Sequence, residues 1–193
     1  MIQAKATPSD KVSATLTSLR YSEARAKGGG VFNVTCIDSQ GNKKWETEVH
    51  NLVVNQGLQD MNNKYFAGVT YSATWYIGLY GAASSNDPLA TDTAATHPGF
   101  TEITPYSNAT RPACTFGAAT SADPSVISNS ASPASFSINA GATVGGAFLI
   151  SDNTKGGSAG VLFSASDFGA PGDRTVVSGD TILVTYTFSL DAA

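Results

Sequence analysis

The stretch TILVTYTFSL, residues 181–190, decides the fold class. Ile182, Val184, Tyr186, Phe188 and Leu190 alternate with Thr181, Thr185, Thr187 and Ser189, and only Leu183 breaks the pattern. Side chains that repeat every two residues fall on opposite faces of an extended chain, so this is a strand with an apolar face and a hydroxyl face. The same signal recurs upstream. VFNVTCID (31–38) and KWETEVHNLVV (44–54), joined by QGNK, read as a hairpin. In its second strand Trp45, Thr47 and Val49 share one face, and Lys44, Glu46 and Glu48 the other. ATWYIGLYG (73–81), FTEITPY (100–106), RPACTFGAAT (111–120), a run around Phe136 and Ile138, TVGGAFLIS (143–151) and GVLFSAS (160–166) continue the series. Pro105 and Pro112 put their strands at edges or ends. About nine strands separated by turn signals predict an all-β protein, an antiparallel β-sandwich or jelly roll.

One segment departs from that pattern. In EVHNLVVNQGLQDMNNKYFAG (48–68), Leu58, Met61, Tyr65 and Phe66 recur at i, i+3, i+7 and i+8, which is one face of a helix. Gln59, Asn62, Asn63 and Lys64 lie opposite, Asn55 is a suitable N-cap, and Gly68 is a suitable stop. The expectation is a single short helix, about 55–67, that covers an open end or edge of the sandwich with its four apolar residues.

The chain of 193 residues is long enough for one domain with an arm. Residues 1–30 are polar and end in Gly28-Gly29-Gly30, so they read as an extended N-terminal arm, with a short helix over 16–26 as the alternative; 31–193 form the body. Charged residues are only 13% of the chain, against about 25% in an average protein. Net charge is −4 and unevenly spread: residues 1–64 carry +2 and residues 65–193 carry −6. Lys5, Lys11, Arg20, Arg25 and Lys27 are therefore the candidate partner-binding residues, a basic arm suited to an acidic surface. An acidic body is a poor partner for nucleic acid. No apolar run approaches the roughly 18 residues of a membrane span, and MIQAKATPSDK lacks the apolar core of a signal peptide, which predicts synthesis in the cytoplasm. Cys36 and Cys114 then read as buried, reduced thiols.

The patterns that announce chemistry are weak. Gly156-Gly157-Ser158-Ala159-Gly160 fits G-x-S-x-G, but a β-type run follows the serine and both histidines, His50 and His97, precede it, so a glycine-rich turn is the reading. The histidines and cysteines have no metal-ligand spacing, and the loop holding Asp87 and Asp92 lacks the acidic density of a calcium site. GATVGG (141–146) lacks the lysine of a phosphate loop, so its glycines mark a bulge or close sheet contact. Glu46, Glu48 and Glu102 are the glutamates beyond the arm, and the first two read as solvated. Trp45, Trp75, Tyr76 and Tyr80 form the one candidate sugar platform. No cofactor, metal or catalytic set is expected.

The order HNLVVNQGLQDMNNKYF, WYIGLY, HPGFTEITPY, SNSASPASFSIN, TVGGAFLIS and SGDTILVTYTFSL, spanning about residues 48–190, resembles small virion structural proteins of tailed bacteriophages. The shared phrases contain no catalytic motif and leave out residues 1–30. The resemblance implies a non-enzymatic capsid cement or decoration protein, made in the host cytoplasm and placed on the capsid surface. It would bridge subunits of the major capsid protein as a homo-oligomer, a dimer or trimer, without nucleic acid or membrane. The alternative is a tail or head-fibre component that binds host-surface glycan.

Overall fold

The computed structural model describes residues 27–71, 74–81, 87–169 and 172–192. It is mostly β, with one short helix. The apolar alternation of 181–190 becomes β13 (Thr181–Asp191), the hub of the first sheet. Along one edge it pairs antiparallel with β1 (Lys27–Ile37), from Lys27 opposite Asp191 to Ile37 opposite Thr181. Its other edge is shared by β7 (Ser125–Ser128) and β8 (Ala134–Ser137), each covering half of its length. β2 (Lys43–His50) closes the outer side of β1. The second sheet has the order β3 (Leu52–Val53), β11 (Leu162–Asp167), β10 (Gly146–Ile150), β4 (Trp75–Gly81) and β5 (Thr101–Glu102), with β6 (Ala113–Cys114) on the other half of β4. A small ribbon joins β9 (Ala142–Val144) to β12 (Arg174–Val176).

The two larger sheets face each other across one core. β1 contributes Phe32, Val34 and Cys36, and β13 contributes Ile182, Val184 and Tyr186; β4 answers with Ile77 and Leu79, and β10 with Ala147 and Leu149. This is the antiparallel sandwich that the alternation predicts. The alternation runs out toward the end of β13, where Phe188 is half-buried and Leu190 exposed.

The second sheet behaves differently. All five residues of β10 are buried, because this sheet is covered on both faces. Its outer face carries Tyr80, Phe148, Ile150, Leu162 and Ala165, packed with Val54, Ala94 and Phe100. The register of β10 and β11 shifts so that Leu149 faces Ser164 and Ile150 faces Leu162, which makes Phe163 the extra residue. The bulge sends Leu162 to the outer layer and Phe163 to the main core. GATVGG does mark a close contact: a Cβ on Gly146 would stand 2.1 Å from the Tyr80 ring and 2.4 Å from the Ser166 carbonyl oxygen.

Two expectations are corrected. Lys27–Gly30 are not arm but the first residues of β1; residues 1–26 lie outside the described residues. The helix, α1 (Asn55–Tyr65), sits in the expected place but is rotated from the expected orientation. Its buried residue is Gly57, with Met61 packed against the main core, whereas Leu58, Tyr65 and Phe66 are 48%, 83% and 79% exposed. Asn55 is the first helical residue and makes no cap; Val54 holds that position without a side-chain bond.

The reason for the rotation is a close backbone approach. A Cβ at Gly57 would meet the Phe163 carbonyl oxygen at 2.4 Å and its Cα at 2.9 Å. Only glycine lets the helix lie this close to β11. Beside it, the Gln56 side-chain oxygen accepts the Leu162 N–H at 2.8 Å and the Ala94 N–H at 3.1 Å. Two backbone donors at the strand and the loop are thereby satisfied by one side chain. At the far end Gly68, at φ +68°, turns the chain back so that the Val69 N–H donates to the Asn63 carbonyl.

This contact makes a quantitative prediction. Alanine is the better helix former by about 1 kcal/mol, yet Gly57→Ala should destabilise the fold by about 1–3 kcal/mol through overpacking against β11. Leu58→Ala, one residue on, should cost much less. Urea unfolding of both variants checks this; a stabilised Gly57→Ala would remove the backbone contact from the account.

Candidate functional site

Of the candidate partner-binding residues, Lys5, Lys11, Arg20 and Arg25 lie outside the described residues. Lys27 is an exposed strand residue at the start of β1 and belongs to the body. The four aromatics of the candidate sugar platform do not form one surface. Trp75 and Tyr80 are buried, Trp45 packs half-buried against the main core with its ring 6.1 Å from Phe168, and Tyr76 packs against the outer cluster. Asp92 is buried, with its carboxylate accepting the Leu89 N–H at 2.9 Å, and Asp87 is exposed. Among the described residues no three His, Cys, Asp or Glu side chains converge as a metal site.

The densest polar cluster was not visible in the sequence as a unit. Glu102, on β5, and Arg111, just before β6, form a bidentate ion pair at 2.9 and 2.7 Å, with the arginine side chain 2% exposed. Arg111 also donates to the carbonyls of Asp152 (2.9 Å) and Gly157 (2.7 Å), while Glu102 accepts the Gly156 N–H at 2.7 Å. The guanidinium carbon stands 5.4 Å from the Phe148 ring centre. Lys155 reaches the Tyr106 carbonyl at 2.8 Å and lies 4.2 Å from the centre of the Tyr106 ring. Burial pushes the Tyr106 phenol up, and the neighbouring Glu102 charge adds to the shift.

The G-x-S-x-G segment is part of this clamp. It belongs to the connection from β10 to β11 and turns through Gly156 (φ +70°) and Gly160 (φ +89°). Both charged partners are satisfied by it, as burial of charge requires. The arrangement holds the loop against the sheet.

Beside the clamp is a cleft of about 480 Å³, lined by His97, Phe100, Thr101, Phe148 and Ser158 among others. The His97 ring stacks on Phe100, with centres 4.3 Å apart and planes 11° apart. Its Nδ1 is 2.9 Å from the Phe100 carbonyl oxygen, which can only accept, so Nδ1–H is the donor of that bond. No hydrogen bond joins Ser158 to His97 among the described residues, so the cleft has the residue types of a nucleophile and base without the geometry.

Asp180, Cys36 and Cys114 are buried away from the clamp. Lys44 forms a 2.5 Å ion pair with Asp180, whose side chain is 2% exposed, and so fastens β2 to the turn before β13. The hydrogen bond to Asp180 holds the Lys44 ammonium above its ordinary pKa. Burial, reinforced by the Asp180 charge, pushes the Cys36 thiol up to about 11, and burial pushes Cys114 up to about 12. Both are free and buried.

The outward face of α1 is apolar and exposed. Leu58, Tyr65 and Phe66 lie on it, and beyond the helix Val69 and Tyr71 are 51% and 61% exposed. The Tyr65 and Phe66 rings meet edge to face at 4.9 Å. Lys64 is turned aside, pairing with Asp60 at 3.1 Å and lying 5.4 and 5.7 Å from the Tyr71 and Trp75 ring centres. No helix among the described residues is long and apolar enough to cross a membrane. Compared with protein-family models, curated proteins and solved structures, the chain matches none.

Two outcomes follow from this chemistry. Glu102→Gln leaves a buried guanidinium half-paired and should cost about 3–5 kcal/mol in stability, measured by chemical denaturation; a loss below about 1 kcal/mol would place the pair in solvent. Cys36 and Cys114 should resist alkylation by iodoacetamide at neutral pH until the protein unfolds. Rapid labelling of the folded chain would contradict their burial.

Proposed function

We propose that this chain is a non-enzymatic structural protein of a tailed-phage virion, a capsid cement or decoration protein that stabilises the shell by bridging subunits of the major capsid protein. The observation that carries the reading is the exposed apolar face of α1. A helix rotated by Gly57 leaves Leu58, Tyr65 and Phe66 toward solvent, and exposed apolar surface of this kind marks an interaction site. The phrases at 48–190 that resemble phage virion proteins include this segment, and the paired charges elsewhere favour a scaffold over a reaction centre.

Contacts of this kind are modest singly and gain from repetition over a shell. They add binding free energy only to the assembled state, and so stabilise it by mass action. The basic segment 1–26 extends the same role to an acidic neighbour. The glycan-binding alternative loses its aromatic platform, since Trp75 and Tyr80 are core.

Particles made without the protein should assemble with normal geometry and release DNA at lower temperature than complete particles. Restoring it should recover robustness, at hundreds of copies per particle on the order expected for a repeated shell component. Particles that stay equally robust yet fail to adsorb to cells would replace cement with a host-binding appendage.

A further inference from the structure

We propose that the outward face of α1 binds a second copy of this chain, giving a two-fold dimer through antiparallel α1 helices. The inference rests on the assembly role proposed above and names the occupant of the same surface.

Three features of the face fit a copy of itself. The first is spacing. Leu58 and Phe66 lie four residues either side of Asn62, so a two-fold axis beside Asn62 sets Leu58 of each copy against Phe66 of the other. A contact in which residue i meets j while j meets i is the condition for a closed dimer.

The second is charge. The residues along and beside the stripe are uncharged Gln59, Asn62 and Asn63, and the one charged pair, Asp60 and Lys64, is closed within the helix at 3.1 Å with side chains 13% and 16% exposed. A neutral face meeting its twin strands no charge, whereas a strongly basic or acidic partner gains nothing there. Asn62, at the axis, is able to pair amide to amide with its symmetry mate, a device that fixes register in helical interfaces.

The third is area. Tyr65, Phe66 and Tyr71 are 83%, 79% and 61% exposed, and Leu58 and Val69 about half. At roughly 200 Å² per aromatic side chain, Leu58, Tyr65 and Phe66 of this face offer on the order of 400 Å². That lies within the roughly 300–600 Å² that a free monomer leaves bare. It is about half of the roughly 800 Å² that each partner gives to a standard interface, which fits a dimer that dissociates on dilution.

The test uses the axis residue. Sedimentation velocity of the full chain over a dilution series should show a two-copy species against a monomer mass of 19.8 kDa. Asn62→Lys and Asn62→Glu, each bringing like charges together at the axis, should separately sediment as single copies with unchanged far-ultraviolet circular dichroism and Tm of a folded domain. An equal mixture of the two should restore the two-copy species, as a mixed dimer. Wild type that stays single at every concentration, or either variant that remains paired, overturns the proposal. A wild-type monomer that pairs only after deletion of residues 1–26 would show that the chain's own leading segment occupies the face. Particle binding separates this inference from the one beneath it: single-copy variants that load particles at wild-type occupancy would leave the virion role standing and remove the dimer from it. A dimer that never binds particles would do the reverse.

Discussion

The approach of Gly57 to the Phe163 backbone fixes how the helix sits, and with it what the surface presents. At a separation where a Cβ would stand 2.4 Å from a carbonyl oxygen, the helix has one rotation available. That rotation sends Met61 inward and Tyr65 and Phe66 outward. Gln56 locks it by accepting two backbone N–H groups, one from the strand and one from the loop that covers the sheet. Polar bonding thus sets the orientation, and apolar burial supplies the adhesion around it through Val54, Ala94, Phe100 and Leu162.

The same economy runs through the rest of the molecule. The sheet nearest the helix is buried on both sides, so its outer face needs a third layer, and irregular chain provides much of it. Irregular chain carries unsatisfied backbone groups, and Arg111 and Glu102 answer three of them at the connection between β10 and β11. The buried Glu102 and Arg111 charges therefore hold that loop in place. On α1 the exposed side chains Leu58, Tyr65 and the adjoining Phe66 are apolar.

Fold class was legible because β13 writes its period openly, and the hairpin of β1 and β2 does the same. The helix was legible as an element, from the i, i+3, i+7 recurrence of Leu58, Met61 and Tyr65. Its orientation was not: the rule that apolar residues face inward assigns the wrong side when a glycine permits contact at backbone distance. Gly57 is the signal that was present, a glycine within the first turn of a helix without a capping reason. The boundary at Lys27–Gly30 was misread because three glycines resemble a linker, whereas pairing with β13 is made by backbone groups that glycine possesses in full. Gly30 also lies where a Cβ would meet the Tyr186 hydroxyl at 2.5 Å. The clamp of Glu102 with Arg111 was illegible in principle, because it joins residues of separate segments to the carbonyls of a third.

The account stands or falls on which way α1 faces. Hydroxyl-radical footprinting reads this directly, with each side chain compared with its own rate in the unfolded chain and the protein diluted until it sediments as one copy. Tyr65 and Phe66 should react at close to unfolded rates, while Met61, Trp75 and Tyr186 are protected. Protection of Tyr65 and Phe66 to the level of Met61 would place the whole apolar stripe against the sandwich and contradict the account.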